Sequence, residues 1–352
     1  MLVGFCQMLL RKIMKKCVLL ILLCCSWNLL ANQVFVDGVE FQSLAEAKPA
    51  IKDGSQVYLK AGIYSKGIYI KANNVSIIGE DNVVFDNAAV DGKAALVLHG
   101  NNILVESIEC RNIEVKDLNG ACIRFEGKNL TVRDLYAHDS QSGVMTSHTS
   151  GFLHIEFSKF EHLGGKATGR GYAHAIYAIV DDFSLSDSQI LSMGKEGTGV
   201  KSRSKKTVIE NSILASLDGR DSRLVDVANY GELIIKNSIL EQGDNSSNSQ
   251  LIAYGLEHKQ VKFPINRIEI TDNLFLLDRK KANVIIAYKH ADQVAIHDNT
   301  MVGDFLYPDE FSKHNPWYLS REKAKLKPYP YLPKVSGLSQ LLTTISVVGE
   351  RN

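Results

Sequence analysis

Short apolar bursts, broken by Gly, Asn and Asp, fill most of this chain. Within the bursts apolar and polar positions alternate. Between them no stretch carries the period of an amphipathic helix. The bursts also recur. "VIENSILASLDGRD" (208–221) and "LIIKNSILEQGDN" (233–245) share one frame; "LSDSQILSMGK" (185–195) precedes them, and "IEITDNLFLLD" (268–278) and "VAIHDNTMVGD" (294–304) follow. A second apolar segment lies upstream in each unit: "AALVLHG", "ACIRFEG", "SGVMTSH", "AIYAIV", "TGVKSR", "RLVDVAN", "QLIAYG" and "NVIIAY".

Units this small cannot bury an apolar face alone, but stacked units share one core. The pattern predicts an all-β chain: a single-stranded, right-handed parallel β-helix with three short strands per coil. A β-sandwich explains the regular unit and its in-frame Asn less well. The repeated Asn or Asp falls at Asp187, Asn211, Asn237, Asn273 and Asn299. A left-handed turn suits it there, with its amide bonded to the next coil. Open ends of such a stack need caps. "FQSLAEAKPAIKDGSQVYLKAGIY" (41–64) predicts a short N-terminal capping helix that leads into the first strand. The expected organisation is a leader over 1–31, the β-helix over 32–304, and an irregular, Pro- and aromatic-rich tail over 305–352, packed on the far end or along a side.

The leader reading rests on "RKIMKKCVLLILLCCSWNLLAN": basic residues, an apolar run too short to span comfortably, then small or polar residues. Met14 is a second candidate start. The expected location is secreted or periplasmic, with no membrane anchor after cleavage. Four of the six cysteines lie in this stretch, leaving Cys110 and Cys122. A disulfide-built scaffold is excluded and one bridge at most is possible; buried free thiols are the expected state. No CxxC or Cys/His cluster suggests zinc. The 40 basic and 39 acidic residues nearly cancel. The whole molecule is therefore no trap for polyanions, and nucleic acid is not an expected partner. A monomer is expected.

"GKEGTGVKSRSKKTVIENSIL" (194–214) nearly spells a phosphate loop. Val200, however, separates Gly199 from Lys201, and a β-coil follows instead of a helix, so no nucleotide is expected. Read as a strand, "GVKSRS" puts Val200 and Ser202 on one face and Lys201 and Arg203 on the other. A solvated basic edge is the plain alternative. Neighbouring coils add weight to a site. "GRGYAHAIY" brings Arg170, Tyr172, His174 and Tyr177. "SRLVDVAN" brings Arg223 and Asp226, "LIAYGLEH" brings Tyr254 and Glu257, and "SGVMTSH" brings His148. At roughly 4.8 Å per coil this ladder covers three or four sugar units.

Cations and aromatics along a groove suit an acidic polysaccharide. Cleavage by β-elimination at a uronic acid needs a cation on the carboxylate, a base for the C5 proton and an acid for the leaving oxygen. The expected roles are Lys201 and His174 as the acid/base pair, Tyr177 as proton relay, and Arg203 or Arg170 on the carboxylate. Asp226 would orient Lys201 or His174. Lys201 would work as a base if crowded by Arg203, whereas His174 titrates near neutrality unaided. Hydrolysis would need two carboxyl groups facing across the cleft. Asp226 has only Glu196 or Glu257 as candidates. Asp181 and Asp182 at a turn form a candidate cation site.

"HAIY" (174–177), "VKSRS" (200–204), "LVDV" (224–227), "ILEQG" (239–243) and "IAYGLE" (252–257) resemble secreted bacterial right-handed β-helix repeat proteins akin to polysaccharide lyases, including those acting on biofilm matrix. The resemblance implies the fold over about 165–300 and, more weakly, a lyase activity. A more distant resemblance is to the alginate lyase and chondroitinase B family. It implies a strand Lys as base, matched by Lys201, an Arg from the next coil, roughly matched by Arg223, and an upstream acidic calcium site, of which only Glu196 is present. No cofactor is expected, because a full calcium ligand set is missing. A non-catalytic polysaccharide-binding adhesin, an epimerase and a glycoside hydrolase are the alternatives on the same scaffold.

Overall fold

The computed structural model describes residues 33–147, 150–167, 171–258, 260–305 and 313–333. The leader, His148, Arg170 and most of the tail after 305 lie outside the described residues. Within them the chain is a parallel β-solenoid. Typical coils hold three strands, such as His174–Ala178, Asp182–Ser186 and Gln189–Leu191, followed in register by Thr198–Ser202, Lys206–Glu210 and Ile213–Ala215. One face is a nine-stranded parallel sheet running from Ile68–Ile70 to Val284–Tyr288, one strand per coil. The other two faces merge into a single 21-stranded sheet. They merge because Ile103–Arg111 and Leu130–His138 run through the corner between them unbroken.

The N-terminal end is closed by two devices. The helix Leu44–Ala47 is capped by Ser43, whose Oγ accepts the Glu46 N–H at 3.3 Å, and it buries Leu44 and Ala47. The sequence did not suggest the second. Val34–Val36 pairs antiparallel with both Val39–Phe41 and Gln56–Leu59, so a hairpin precedes the helix.

Alternation fills the interior with Val, Ile, Leu and Phe in one continuous core. Cys110 and Cys122 sit within it and are joined by a disulfide, with Cα atoms 5.5 Å apart, not left as free thiols. The two cysteines approach from different strands, Ile103–Arg111 and Ala121–Phe125, and so meet inside the coil.

The repeated Asn column splits in two. Asp187, Asn211 and Asn237 adopt left-handed backbone (φ 49°, 49° and 51°), and the Asn237 amide bonds the Asn211 side chain. In the next two coils Asp272 and Asp298 take that place, both at φ 58°. Asn273 and Asn299 instead lie one residue later, in a buried ladder with the serines. The backbone N–H of Ser158 donates to Ser188 Oγ (3.0 Å), Ser188 to Ser212 (3.2 Å) and Ser212 to Ser238 (3.1 Å). Ser238 then donates to Asn273 Oδ1 (2.9 Å), Asn273 to Asn299 (3.0 Å) and Asn299 to Asn315 (3.0 Å). Asn273 Nδ2 also serves the carbonyls of Ile235 and Thr271. Asn273→Ala would orphan several buried groups, each at about 1–3 kcal/mol. A loss of about 3 kcal/mol is expected in urea unfolding, and an unchanged midpoint would show the ladder to be dispensable.

The described part of the tail lies along a side. Trp317–Tyr318 adds a strand beside Thr300–Gly303. Tyr318, Ala324 and Leu326 then cover outward apolar side chains, including Ile213, Ile239, Leu274 and Val302. Arg321 fastens this segment through Asp278, at 2.7 and 2.6 Å.

Candidate active site

The nine-stranded sheet carries a cleft of about 810 Å³ on its outer face. Register makes the site. Tyr177, Lys201 and Asp226 are direct partners in adjacent parallel strands, so their side chains stack in one outward column. Arg203 follows two residues after Lys201, where Thr198–Ser202 ends. His174, Tyr172, Arg223 and Glu257 line the same cleft.

Tyr254 does not. Asp226 pairs with Ala253, which makes Ala253 the outward residue and turns Tyr254 inward with Val227. Tyr254 is 0% exposed, and its hydroxyl donates to the Gly231 carbonyl at 2.6 Å. It is a core residue, not part of a substrate wall.

Lys201 is 5% exposed and Asp226 3%. Lys201 Nζ donates to Asp226 Oδ2 at 2.6 Å and to Glu257 Oε1. The expected crowding by cations is thus not what surrounds this lysine; its bonded neighbours are two carboxylates. Arg203 has four side-chain partners, one of them His258 Nε2 at 3.3 Å from Nη1. Its Nε donates to Tyr177 Oη (2.9 Å), Nη1 to Asn229 Oδ1 (2.9 Å) and Nη2 to Glu257 Oε2 (2.5 Å). Glu257 therefore bridges the two cations, one oxygen on each. Burial opposes its charge, but Lys201 and Arg203 hold its carboxyl below the ordinary range.

His174 also departs from expectation. Burial, then the Lys201 and Arg203 charges, push it down to about 3. It is neutral at physiological pH and does not titrate there. Its Nδ1 accepts the Thr198 N–H at 3.2 Å, which puts the ring proton on Nε2. The ring stacks beside Tyr177, centroids 5.8 Å apart. His174 is thereby a hydrogen-bond donor with a fixed tautomer.

Arg223 Nη1 lies 3.7 Å from Asp226 Oδ2, and its Nη2 donates to Gln250. Asp226 Oδ1 is buried with no hydrogen-bond partner. Asp226 and Glu257 are both turned onto one ammonium. Asp181 is held by Lys205 Nζ (2.5 Å) and the Gly151 N–H (2.9 Å), as a paired turn residue. Glu196 lies 3.5 Å from Arg220. No group of three or more metal-ligating side chains occurs among the described residues.

Sequence reasoning missed several contributors. Asn229 was visible in "LVDVAN", three residues beyond Asp226, yet its grip on Arg203 depends on a turn. The Thr198 N–H is a backbone group and leaves no residue-type signal. Asp117 and Asn119 line the cleft from the loop before Ala121–Phe125. Ser222 and Asn248, joined at 2.7 Å, line it from the loops of two adjacent coils.

Fold and cleft together define a parallel β-helix protein with a cationic, carboxylate-occupied site on one outer sheet. No protein-family model matches the chain, and no curated protein matches it. Three solved structures are similar in path. A PL6 family alginate lyase is 13% identical, with 78% of this chain and 51% of that one covered and a TM-score of 0.31. A pectate lyase, Pel9A, is 14% identical, with 71% and 74% covered and a TM-score of 0.33. The A-module of a mannuronan C-5 epimerase from Azotobacter vinelandii is 10% identical, with 76% and 89% covered and a TM-score of 0.30. The chain spans about half the length of that alginate lyase. At this level of similarity the site has to be read from its own geometry.

Proposed function

We propose that this chain is a polysaccharide lyase, exported to the periplasm or beyond, that cleaves a uronate-containing polymer by β-elimination. One observation carries the reading: Lys201 and Arg203 together hold a carboxylate, one oxygen each, within an open cleft of about 810 Å³. A uronate carboxylate placed there would be neutralised on both oxygens. That lowers the cost of removing the C5 proton, since the charge develops where the two cations sit. The Tyr177 hydroxyl, oriented by Arg203 Nε, gives its proton to the leaving oxygen and takes the C5 proton in its place as the C4–O bond breaks and the C4–C5 double bond forms. His174 donates Nε2–H to the same leaving oxygen, as a neutral imidazole can. Asp226 keeps the Lys201 ammonium aligned through its 2.6 Å bond. These assignments shift Lys201 from base to electrophile, because two carboxylates share its ammonium. The N-terminal leader pattern and the Cys110–Cys122 disulfide support an oxidising compartment.

The test is digestion of a panel of acidic exopolysaccharides, followed by the ultraviolet absorbance of unsaturated uronate ends. Wild-type chain should generate that signal from at least one polymer, and Arg203→Ala should lower the rate by about a hundredfold or more. Shortening without unsaturation would mean a hydrolase. Inversion at C5 without cleavage would mean an epimerase. Binding without any shortening would mean an adhesin. Any of the three would overturn the eliminative reading.

A further inference from the structure

The carboxylate in the cation slot belongs to the protein itself. Lys201, Arg203 and Arg223 contribute three positive charges, and Asp226 and Glu257 two negative ones. The two acids differ in how they are held. The Asp226 side chain is 4% exposed and fixed in a central strand. The Glu257 side chain is 41% exposed and lies past the end of Gln250–Tyr254, beyond Gly255. Gly255 turns the chain at φ +67°, where a Cβ would stand 2.1 Å from the Tyr230 ring. That turn sends Glu257 back over the sheet to the slot.

We propose that Glu257 is a displaceable stand-in for the substrate carboxylate, and that the slot selects monocarboxylated sugars by exchange. This rests on reading the cleft as a uronate site. An incoming uronate replaces one carboxylate with another, so the slot's charge balance is kept. A neutral sugar has nothing to offer the two cations and leaves Glu257 in place. Selectivity then comes from competition, because the wrong ligand must leave Lys201 and Arg203 short of a counter-charge. The backbone around Glu257 is tied by Gly255 N–H to Val227 (2.8 Å), Lys289 to the Leu256 carbonyl (2.7 Å) and Tyr230 to the His258 carbonyl (3.1 Å), so the exchange needs only rotation of the 41% exposed Glu257 side chain. Asp226 stays throughout and keeps Lys201 aligned.

The experiment is titration calorimetry on the purified full chain, with D-glucuronate and D-galacturonate as probes and D-glucose as neutral control. Glu257→Gln keeps the side chain's shape and removes the competing charge. It should bind at least one uronate about tenfold tighter than wild type, while glucose stays unaffected. Glu257→Ala should shift in the same direction. Adding Arg203→Ala to Glu257→Gln should abolish the gain. Equal or weaker uronate binding in both single variants would overturn the proposal and make Glu257 a ligand-binding or clasping group. Tighter binding with no unsaturated product from any polymer would preserve this inference and sink the eliminative one. Unsaturated product with no gain in either variant would do the opposite.

Discussion

Replacing Lys201 by methionine is expected to lower native stability by about 3–5 kcal/mol and to abolish detectable elimination. The stability loss follows from what remains. Asp226 is 3% exposed, and its Oδ2 loses the 2.6 Å ammonium bond while its Oδ1 already lacks a partner. Arg223, at 3.7 Å, is too distant to replace that hydrogen bond. The result is a buried carboxylate left with no hydrogen bond and only the Arg223 charge at 3.7 Å, which costs far more than the net worth of the pair. The catalytic loss has a separate origin: the slot keeps Arg203 but loses its second cation. A double variant, Lys201→Met with Asp226→Asn, distinguishes the two. It removes both charges at once, so most of the stability should return in urea unfolding while elimination stays absent. If the single variant proves as stable as wild type, the buried-pair account fails. If the double variant regains activity along with stability, Lys201 is a scaffold residue and the slot is not the reaction centre.

The parts of this site that could be read from the sequence are those governed by strict alternation. Lys201 and Arg203 leave one face of their strand while Val200 and Ser202 fill the other, and the same rule carries Tyr177 and Asp226 into one column. Tyr254 was misplaced because the rule was not carried through: Ala253, not Tyr254, continues the column. Identical residue types also misled. Asn211 and Asn273 look equivalent in the repeats, yet one turns the chain in a left-handed conformation and the other stands one place later in a buried amide ladder. Coil length varies, so matching letters does not fix register. The disulfide was missed for a related reason: the distance across a coil's interior has no counterpart in sequence spacing. The pairing of Lys201 with Glu257 depends on the path of a loop, and the tautomer of His174 on one backbone N–H. Neither leaves a trace in residue type.

The second large effect is expected on the other side of the solenoid. Glu241 is outward-facing between Ala215 and Leu276, in a strip otherwise made apolar and covered by the tail. It is 0% exposed. Its Oε2 accepts the Leu217 N–H at 2.8 Å, but its Oε1 has no partner. Burial pushes this carboxyl up from 4.5 to about 8, with the Leu217 bond opposing and the Asp278 charge adding to it. Asp221, also buried, is pushed up by burial to about 6. The other facing groups are Arg321, which is committed to Asp278, and Tyr329, whose hydroxyl donates to the Leu217 carbonyl at 2.5 Å. Below about pH 4.5 Glu241 is protonated in both folded and unfolded chains and costs nothing. Between there and about pH 8 the unfolded chain releases its proton while the folded chain keeps it, so stability must fall as pH rises. The fall levels off above the folded value. At about 1.36 kcal/mol per unit the total is several kcal/mol, on the order of 5. Glu241→Gln keeps the shape, removes the titration, and should raise stability at pH 8 by a few kcal/mol while changing little at pH 4. Asp221 then leaves a smaller residual slope between pH 4 and 6. Urea unfolding across that pH range reads both effects. A wild-type stability that rises from pH 5 to pH 8, or a variant that matches wild type at pH 8, would show that Glu241 folds in its charged form and that the tail closes over a paired carboxylate, not a neutral one.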